Sequence, residues 1–592
     1  MQLIVRLMIL ICLLLLNVIT LVAQDTFTPY QIAFYRYDEG LYLMNADGTD
    51  RIRFSARKPC GHFAFDPTGT QIALADRGEK SIIVIDLTTY EEHVVTRSVP
   101  SEGLRPETPL LCGVYWSPDS TTILYGEGGS RKIYTVPVIG GEPTLILDEP
   151  FAKPAIHSIP FGWSSDSTRF VFISNRAGDD AIYTANADGS DITYLTAGVS
   201  PSFAPDGENI LFAQKDDANE NLLLYTIPVD GSSSSAPLDG KIDRDASSLS
   251  LSPDGSYLLF TGNAPYGGDV ILRPLDDSDD IILTGDLDIN NLNPTWRPVA
   301  GTLEFAVVDR DTLPRIVFER YEGVDAGVNG LYTIDRLGLA EEQFSDISPC
   351  GMSFNADGSR LAVSDFTERN LTIIDMMTGE STVLLRADQL HGLQCFVSWN
   401  PDGESLLYDD GSEAGFQDIY QVMVDGSSAP TVVLNSPDDE SAPKWHPDGK
   451  RFVFHSNAAE NGYRIWVGDV TTGEIKQITS LSGLPSIFDF SPAWHPETSQ
   501  IVFHHFDGKQ YDLYRVNEDG SDRVNLTNTP LLDEKSPGYS SDGQYLVYYV
   551  CDIGDDSSSD SSCEINVSHS DGSSPRPITG NSVRDWLPLW QP

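Results

Sequence analysis

Five histidines in the last third of the chain, His446, His455, His495, His504 and His505, are the residues whose type and spacing most suggest chemistry. A metal held by imidazoles is the obvious use. Their register argues otherwise. His446 and His495 each follow a tryptophan by one residue, while His455 and His504 follow the same tryptophans by ten. In a hairpin that turns just after the tryptophan, position +1 faces about +6 and position +10 faces about −3. The two histidines of one hairpin then lie about four residues apart, roughly 13 Å at the usual strand rise. Zinc needs its ligands within about 2 Å of a common ion.

Other chemistry is sparse. There is no G-x-S-x-G elbow, no H-E-x-x-H helix and no G-x-x-x-x-G-K-[ST] phosphate loop. No C-x-x-C pair occurs, so neither a zinc ribbon nor a thioredoxin-type centre is expected. No catalytic residue and no cofactor is assigned. The turns Asn-x-Asp-Gly-Ser/Thr-Asp at 45–50, 186–191 and 517–522 have the flavour of calcium loops but lack the alternating acids and distant glutamate of an EF-hand. Hairpin chemistry explains them, and weak surface calcium binding is the alternative.

The 592 residues carry 38 Lys and Arg against 87 Asp and Glu, a formal charge of −49. Such a chain repels phosphate backbones, so nucleic acid is not an expected partner. With 40% apolar residues there is ample material for a core.

Residues 1–23 place Arg6 before a nearly unbroken apolar run ending at Ala23, the pattern of a cleaved secretory signal peptide; an uncleaved anchor is the alternative. No other stretch reaches 18 apolar residues, so no transmembrane segment is expected in the mature chain, whose charge becomes −50 with the loss of Arg6. A periplasmic or secreted setting follows. Six cysteines remain: Cys60, Cys112, Cys350, Cys395, Cys551 and Cys563. An even count in an exported chain points to disulfides. Cys112 and Cys395 each stand four residues before a tryptophan, and Cys60 and Cys350 each sit in a Pro-Cys-Gly. These duplicated contexts suggest the pairs Cys60–Cys112 and Cys350–Cys395. Cys551 and Cys563 flank an acidic Ser/Asp insertion and pair with each other, stapling an exposed loop.

What must position these groups is a repeat. An aromatic, a small residue, then Pro-Asp-Gly and an apolar strand recurs as Trp116-Ser-Pro-Asp, Phe203-Ala-Pro-Asp-Gly207, Leu251-Ser-Pro-Asp-Gly255, Trp399-Asn-Pro-Asp-Gly403 and Trp445-His-Pro-Asp-Gly449. Looser copies begin at Phe65, Trp163, Trp296, Phe354, Trp494, Tyr539 and Trp590, giving twelve copies about 48 residues apart. Each copy reads as strand, tight turn, strand, an Ile-Tyr strand, an Asp-Gly hairpin and a fourth strand. Four antiparallel strands per unit of this length is a propeller blade. Seven of the nine tryptophans hold the repeat position, so they belong to blade packing and not to a carbohydrate platform.

These residues resemble the TolB-like, WD40-like (PD40) β-propeller repeat family, on the Trp-Ser-Pro-Asp-Gly phrase and the Asn-x-Asp-Gly-Ser hairpin. The resemblance implies a propeller in the cell envelope. TolB-type proteins carry an N-terminal α/β domain before one ring, and the repeats here leave no stretch for one.

A longer duplication overlies the short repeat. Gln31-Ile-Ala-Phe resembles Arg315-Ile-Val-Phe, Pro59-Cys-Gly61 resembles Pro349-Cys-Gly351, and Asn293-Pro-Thr-Trp-Arg-Pro298 resembles the terminal Leu587-Pro-Leu-Trp-Gln-Pro592. Each half starts at a second strand and ends after a first strand, so the last strand can complete the first blade. The expected fold is all-β, two tandem six-bladed β-propellers of four-stranded antiparallel blades. The first covers 24–298, a connector 299–314, and the second 315–592. The run Leu303–Asp309 competes with 291–296 as the strand that closes the first ring. The expected function is an exported, non-enzymatic propeller that binds a protein or peptide in the cell envelope. The alternative is a propeller-fold polysaccharide lyase or hydrolase with its site in a ring channel.

Overall fold

The computed structural model describes residues 30–592 except 98–111, 127–131, 149–157, 216–220, 243–245, 286–289, 304–313, 322–328, 392–394, 412–415, 459–461, 481–486, 553–562 and a few positions of one or two residues. The expected signal segment, most of the expected connector and the acidic insertion lie outside the described residues. Among those described, no helix is long and apolar enough to cross a membrane. The chain divides into two compact units, Met1–Phe54 with Lys58–Ala306 and Ser55–Arg57 with Val307–Pro592.

The architecture is two tandem six-bladed propellers of four-stranded antiparallel sheets. The blade Glu440–Trp445, Arg451–Ser456, Arg464–Asp469, Ile475–Gln477 shows how the repeat phrase builds one. Trp445 ends the first strand opposite Phe452. The Asp448 carboxylate accepts the backbone N–H groups of Lys450 (2.8 Å) and Arg451 (3.0 Å), and Gly449 takes φ +66°. Pro-Asp-Gly is therefore a carboxylate-capped turn. These bonds, with the Arg451 guanidinium alongside, hold the Asp448 carboxyl well below the usual carboxylate range against the opposing effect of burial.

The Asn-x-Asp-Gly turns work similarly. Asp188 accepts the Ser190 N–H (2.9 Å) and hydroxyl (2.6 Å), and Asn186 Nδ2 donates to that hydroxyl (3.0 Å). Asn517, Asp519 and Ser521 repeat this arrangement.

The repeat-position tryptophans are core, between 4% and 8% exposed. Trp399 packs with Ala362 and Leu371 of the preceding blade and with Leu406 and Tyr408 of its own. The aromatic thus seals one blade to the next, and this recurring requirement explains its repetition.

Ring closure uses the offset strands. In the first ring Asn291–Trp296 pairs with Gln31–Arg36, so that strand closes the ring. Arg297 then donates to the Gly69 carbonyl (2.8 Å) in the next blade's turn. In the second ring Arg584–Trp590 pairs with Arg315–Tyr321, Ile316 opposite Trp590 and Arg320 opposite Asp585. Arg320 clamps this closure with two bonds to the Asp585 carboxylate, 2.7 and 2.9 Å, and two more to Glu341. The first strands of the second ring, Pro349–Phe354, Val397–Trp399, Glu440–Trp445, Phe488–Trp494, Leu532–Tyr539 and Arg584–Trp590, touch in succession and the last touches the first. They form the wall of a central channel. One parallel bridge, Cys563 opposite Arg584, joins the closing blade to its neighbour, so twelve blades form eleven hydrogen-bonded sheets.

Candidate functional site

The channel of the second ring holds a cavity of about 320 Å³ to which all six blades contribute. Its wall is layered by the repeat. Numbered from the blade aromatic, position −1 supplies Ser353, Ser398, Lys444, Ala493, Gly538 and Leu589, and position −3 supplies Phe396, Ala442, Ser491, Ser536 and Leu587. Pro447, Pro496 and Ser541 lie in the Pro-Asp-Gly-type turns and place the cavity toward that end of the channel. Gly538 shows how open the wall is, since a Cβ there would meet only Val547 Cγ1, at 3.9 Å.

The inner strands carry a shared distortion. Ala442, Ser491, Ser536 and Leu587, each preceding a proline, have φ of 56°, 46°, 51° and 49°. The first three sit in bulges of the ladder between first and second strands. Proline disfavours the right-handed helical region for its predecessor. A non-glycine residue in the left-handed region costs about 1–2 kcal/mol. Side chains from the preceding blade hold these bulges. Asp409 accepts the Ser441 hydroxyl and the Ala442 N–H (3.4 Å) with one oxygen, and the N–H groups of Cys395 (3.0 Å) and Phe396 (2.9 Å) with the other. His455 Nδ1 accepts the Ser491 N–H (3.4 Å), and His504 Nδ1 accepts the Ser536 N–H (3.3 Å).

Asp409, His455 and His504 occupy one register position, ten past the aromatic. Glu319, paired three residues along from the Ile316–Trp590 pair, is the closing blade's equivalent and accepts the Ser348 hydroxyl. All four are buried. Burial pushes both imidazoles down to about 3 and Glu319 up to about 8, and raises Asp409. An imidazole that accepts through Nδ1 must be neutral there, in keeping with its depressed basicity.

The histidines are therefore related differently from the expectation. His455 pairs with Ser441, at −4 and not −3, because the bulge adds a residue to the first strand. Within-blade spacing missed the relation across blades. His455 and His504 flank the same Phe490 ring, 5.3 and 5.6 Å between centroids, with Tyr463 and Tyr511 completing an aromatic cluster. His505 instead meets Asp489 (2.7 Å), which also binds Arg523 (3.1 Å). His446 and His495 lie in turns, where Nδ1 accepts the Asp448 N–H in the first and the Glu497 and Thr498 N–H groups in the second. Among the described residues no group of three or more potential ligands could hold a metal ion.

Disulfides join Cys350 to Cys395 and Cys551 to Cys563, each with Cα atoms 4.5 Å apart. The first staples neighbouring inner strands at position −4. A Cβ on Gly351 would lie 1.9 Å from the Cys395 carbonyl oxygen, so glycine permits that approach. Cys60 is also disulfide-bonded, while the side chain of Cys112 lies outside the described residues.

Sequence reasoning did not single out Lys444, the cation among the cavity's lining residues. Its Nζ reaches the carbonyls of Val397 (3.2 Å) and Met352 (3.4 Å) on the two preceding inner strands. Burial pushes its ammonium down to about 8, partly offset by Asp409. Aligning the repeat copies at position −1 would have exposed it as a lysine among small residues. The first ring has Tyr115 at that position, with its ring 5.0 Å from His62 and close against Gly162.

Comparison with known proteins agrees with this architecture. Residues 309–541 match the PD40 family, described as "TolB beta propeller domain". The chain is 26% identical over 268 residues to a Tol-Pal system protein TolB of Francisella tularensis, covering 37% of this chain and 59% of that one. It is also 25% identical over 379 residues to dipeptidyl-peptidase 5 of Porphyromonas gingivalis, covering 60% of this chain and 51% of that enzyme. The chain thus spans little more than half the length of these relatives. Among solved structures, TolB from Acinetobacter baumannii aligns with 58% of this chain and 81% of its own at 18% identity and a TM-score of 0.40.

Proposed function

We propose that this chain is an exported propeller protein that captures a segment of a protein or peptide partner at the channel of its second ring, without catalysing a reaction there. The carrying observation is the cavity itself, where six blades converge on about 320 Å³ of space lined by serines, prolines, aromatic edges and one lysine. That mixture of apolar wall and few polar groups is the composition of a binding site. His455, His504 and Asp409 hold the backbone of the neighbouring blade, and Lys444 is the one titratable group lining the cavity besides Tyr539. A lyase or hydrolase here would have to work with Lys444 alone or release one of those three. Disulfides at Cys350–Cys395 and Cys551–Cys563 support an oxidising compartment. The similarity to TolB supports an envelope setting.

The test is site-specific photocrosslinking in the native host. A photoreactive residue at Ser541, in the channel-side turn, should yield a discrete crosslinked partner. The same residue at Val432, exposed on the outer strand Thr431–Leu434, should not. Equal crosslinking from both positions would overturn the proposal.

A further inference from the structure

We propose that Lys444 makes the second-ring cavity a carboxylate-binding pocket, in which the ammonium grips the carboxylate of an entering ligand while Ser491 and Ser536 offer hydroxyl donors. The inference rests on the capture reading and names the chemistry of the captured group.

The sign of the charge comes first. The chain carries −49 overall, yet Lys444 is the one charged side chain among the residues lining the cavity. Two backbone carbonyls hold the ammonium at the cavity wall, and no carboxylate hydrogen-bonds to it among the described residues, so its charge is open to a ligand in that space. The nearest carboxylate does not neutralise it. Asp409 acts on Lys444 through space, but its oxygens are taken by four donors on neighbouring strands.

Donor counting comes next. An ammonium has three N–H donors. The Val397 and Met352 carbonyls take two, and the third has no partner among the described residues. The Ser491 and Ser536 side chains line the cavity at position −3, and their hydroxyls make no hydrogen bond among the described residues. By contrast the Ser353 hydroxyl both accepts the Trp399 backbone N–H (2.9 Å) and donates to the Phe354 carbonyl (3.5 Å), while the Ser398 oxygen accepts the Trp445 backbone N–H (2.9 Å) and keeps its O–H to donate. The lining donors without a partner among the described residues therefore include the third Lys444 N–H, the Ser398, Ser491 and Ser536 hydroxyls, the indole N–H groups of Trp399, Trp445 and Trp494 and the Tyr539 hydroxyl; Lys444 is the charged one, and Ala493 and Gly538 leave room beside it.

A carboxylate suits this set. It accepts from several donors at once, and its bond to an ammonium is charge-assisted. Binding requires the charged lysine, so affinity should fall about tenfold per pH unit above the Lys444 pKa of about 8. The other titratable or charged groups on the Lys444 strand and the strands packed against it are Glu440, Tyr408, Asp409, Asp410, Asp418, Tyr420, Arg451, His455 and Asp489. Of these, Asp409 is the one whose charge acts on Lys444.

The experiment follows the Lys444 side-chain signal by NMR in the full chain labelled with ¹³C at lysine Cε. Three probes are titrated: propionate, the peptide N-acetyl-Gly-Gly-Ala with a free carboxylate, and the same peptide as its carboxamide. Both carboxylates should shift the Lys444 signal saturably at about millimolar concentration, a range open to so small a ligand. Stronger binding of the peptide acid than of propionate would assign a chain terminus as the ligand, and the reverse order a small free acid. Lys444→Met should abolish the shift-linked binding, read by tryptophan fluorescence. Gly538→Leu, which fills the cavity and keeps the lysine, should abolish it too. No saturable shift with either acid, or an equal shift with the carboxamide, would overturn the proposal. Persistence of the Ser541 crosslink in Lys444→Met would leave partner capture standing while the carboxylate pocket fell.

Discussion

Removing the closure clamp of the second ring should cost far more than removing an ordinary surface ion pair. Arg320 and Asp585 lie 265 residues apart, with side-chain exposures of 10% and 0%, and are joined by two bonds of 2.7 and 2.9 Å. The Glu341 carboxylate completes the guanidinium's partners, and these bonds raise the Arg320 pKa against the cost of burial. In Asp585→Ala or Arg320→Ala one buried charge loses its partner, which costs about 3–5 kcal/mol. At about 2–4 °C per kcal/mol for a domain of this size, the melting transition of the second ring should fall by roughly 6–20 °C. The strand Arg584–Trp590 is the element the clamp holds, so its amides should lose hydrogen-exchange protection first. The double variant Arg320→Met with Asp585→Leu should recover much of the loss, because no buried charge remains unpaired. A double-mutant cycle by calorimetry, with exchange mass spectrometry, makes the measurement. Single variants costing less than about 1 kcal/mol, or a cycle with no coupling, would refute the view that the offset strand is clamped electrostatically.

Acid should unfold the second ring through its buried imidazoles. His455 and His504 are held near 3 when folded against 6.5 when free, so the stabilisation present above 6.5 is lost as pH falls toward 3. His455→Gln with His504→Gln should flatten that acid limb in thermal melts, and an unchanged limb would refute it. The opposite sign holds for Glu319, whose carboxyl is raised from 4.5 to about 8. Its contribution is present below 4.5 and lost as pH rises through 8, so Glu319→Gln should remove that alkaline loss. Reducing Cys350–Cys395, which closes a separation of 45 residues, should cost about 4 kcal/mol in the chain-entropy model. Denaturant unfolding with and without reductant, compared with Cys350→Ser/Cys395→Ser, measures it. Gly351→Ala should prevent the same disulfide by driving a methyl into the Cys395 carbonyl, which peptide mapping without reduction would show as free thiols.

Whatever recurs along the chain could be read before any fold was known. A large apolar residue, aromatic in eleven of the twelve copies, is demanded by the same interblade seal, and most copies follow it with a tight turn of the Pro-Asp-Gly kind, so repetition made the blades, their strand order and the mid-blade offset legible. The duplicated Cys350 and Cys395 contexts were legible for the same reason. What repeats least is what defines the site. Position −1 reads Ser353, Ser398, Lys444, Ala493, Gly538 and Leu589, six residues with no pattern along the chain. They become one wall because ring closure brings together strands from position 349 to position 590. The histidines show the same limit. Spacing within one hairpin relates His446 to His455, but only the packing of successive blades set His455 and His504 on either side of Phe490. Local hydrogen bonds and burial patterns are written in short windows of sequence. Channel chemistry is decided by a closure spanning more than two hundred residues, and no short window contains it.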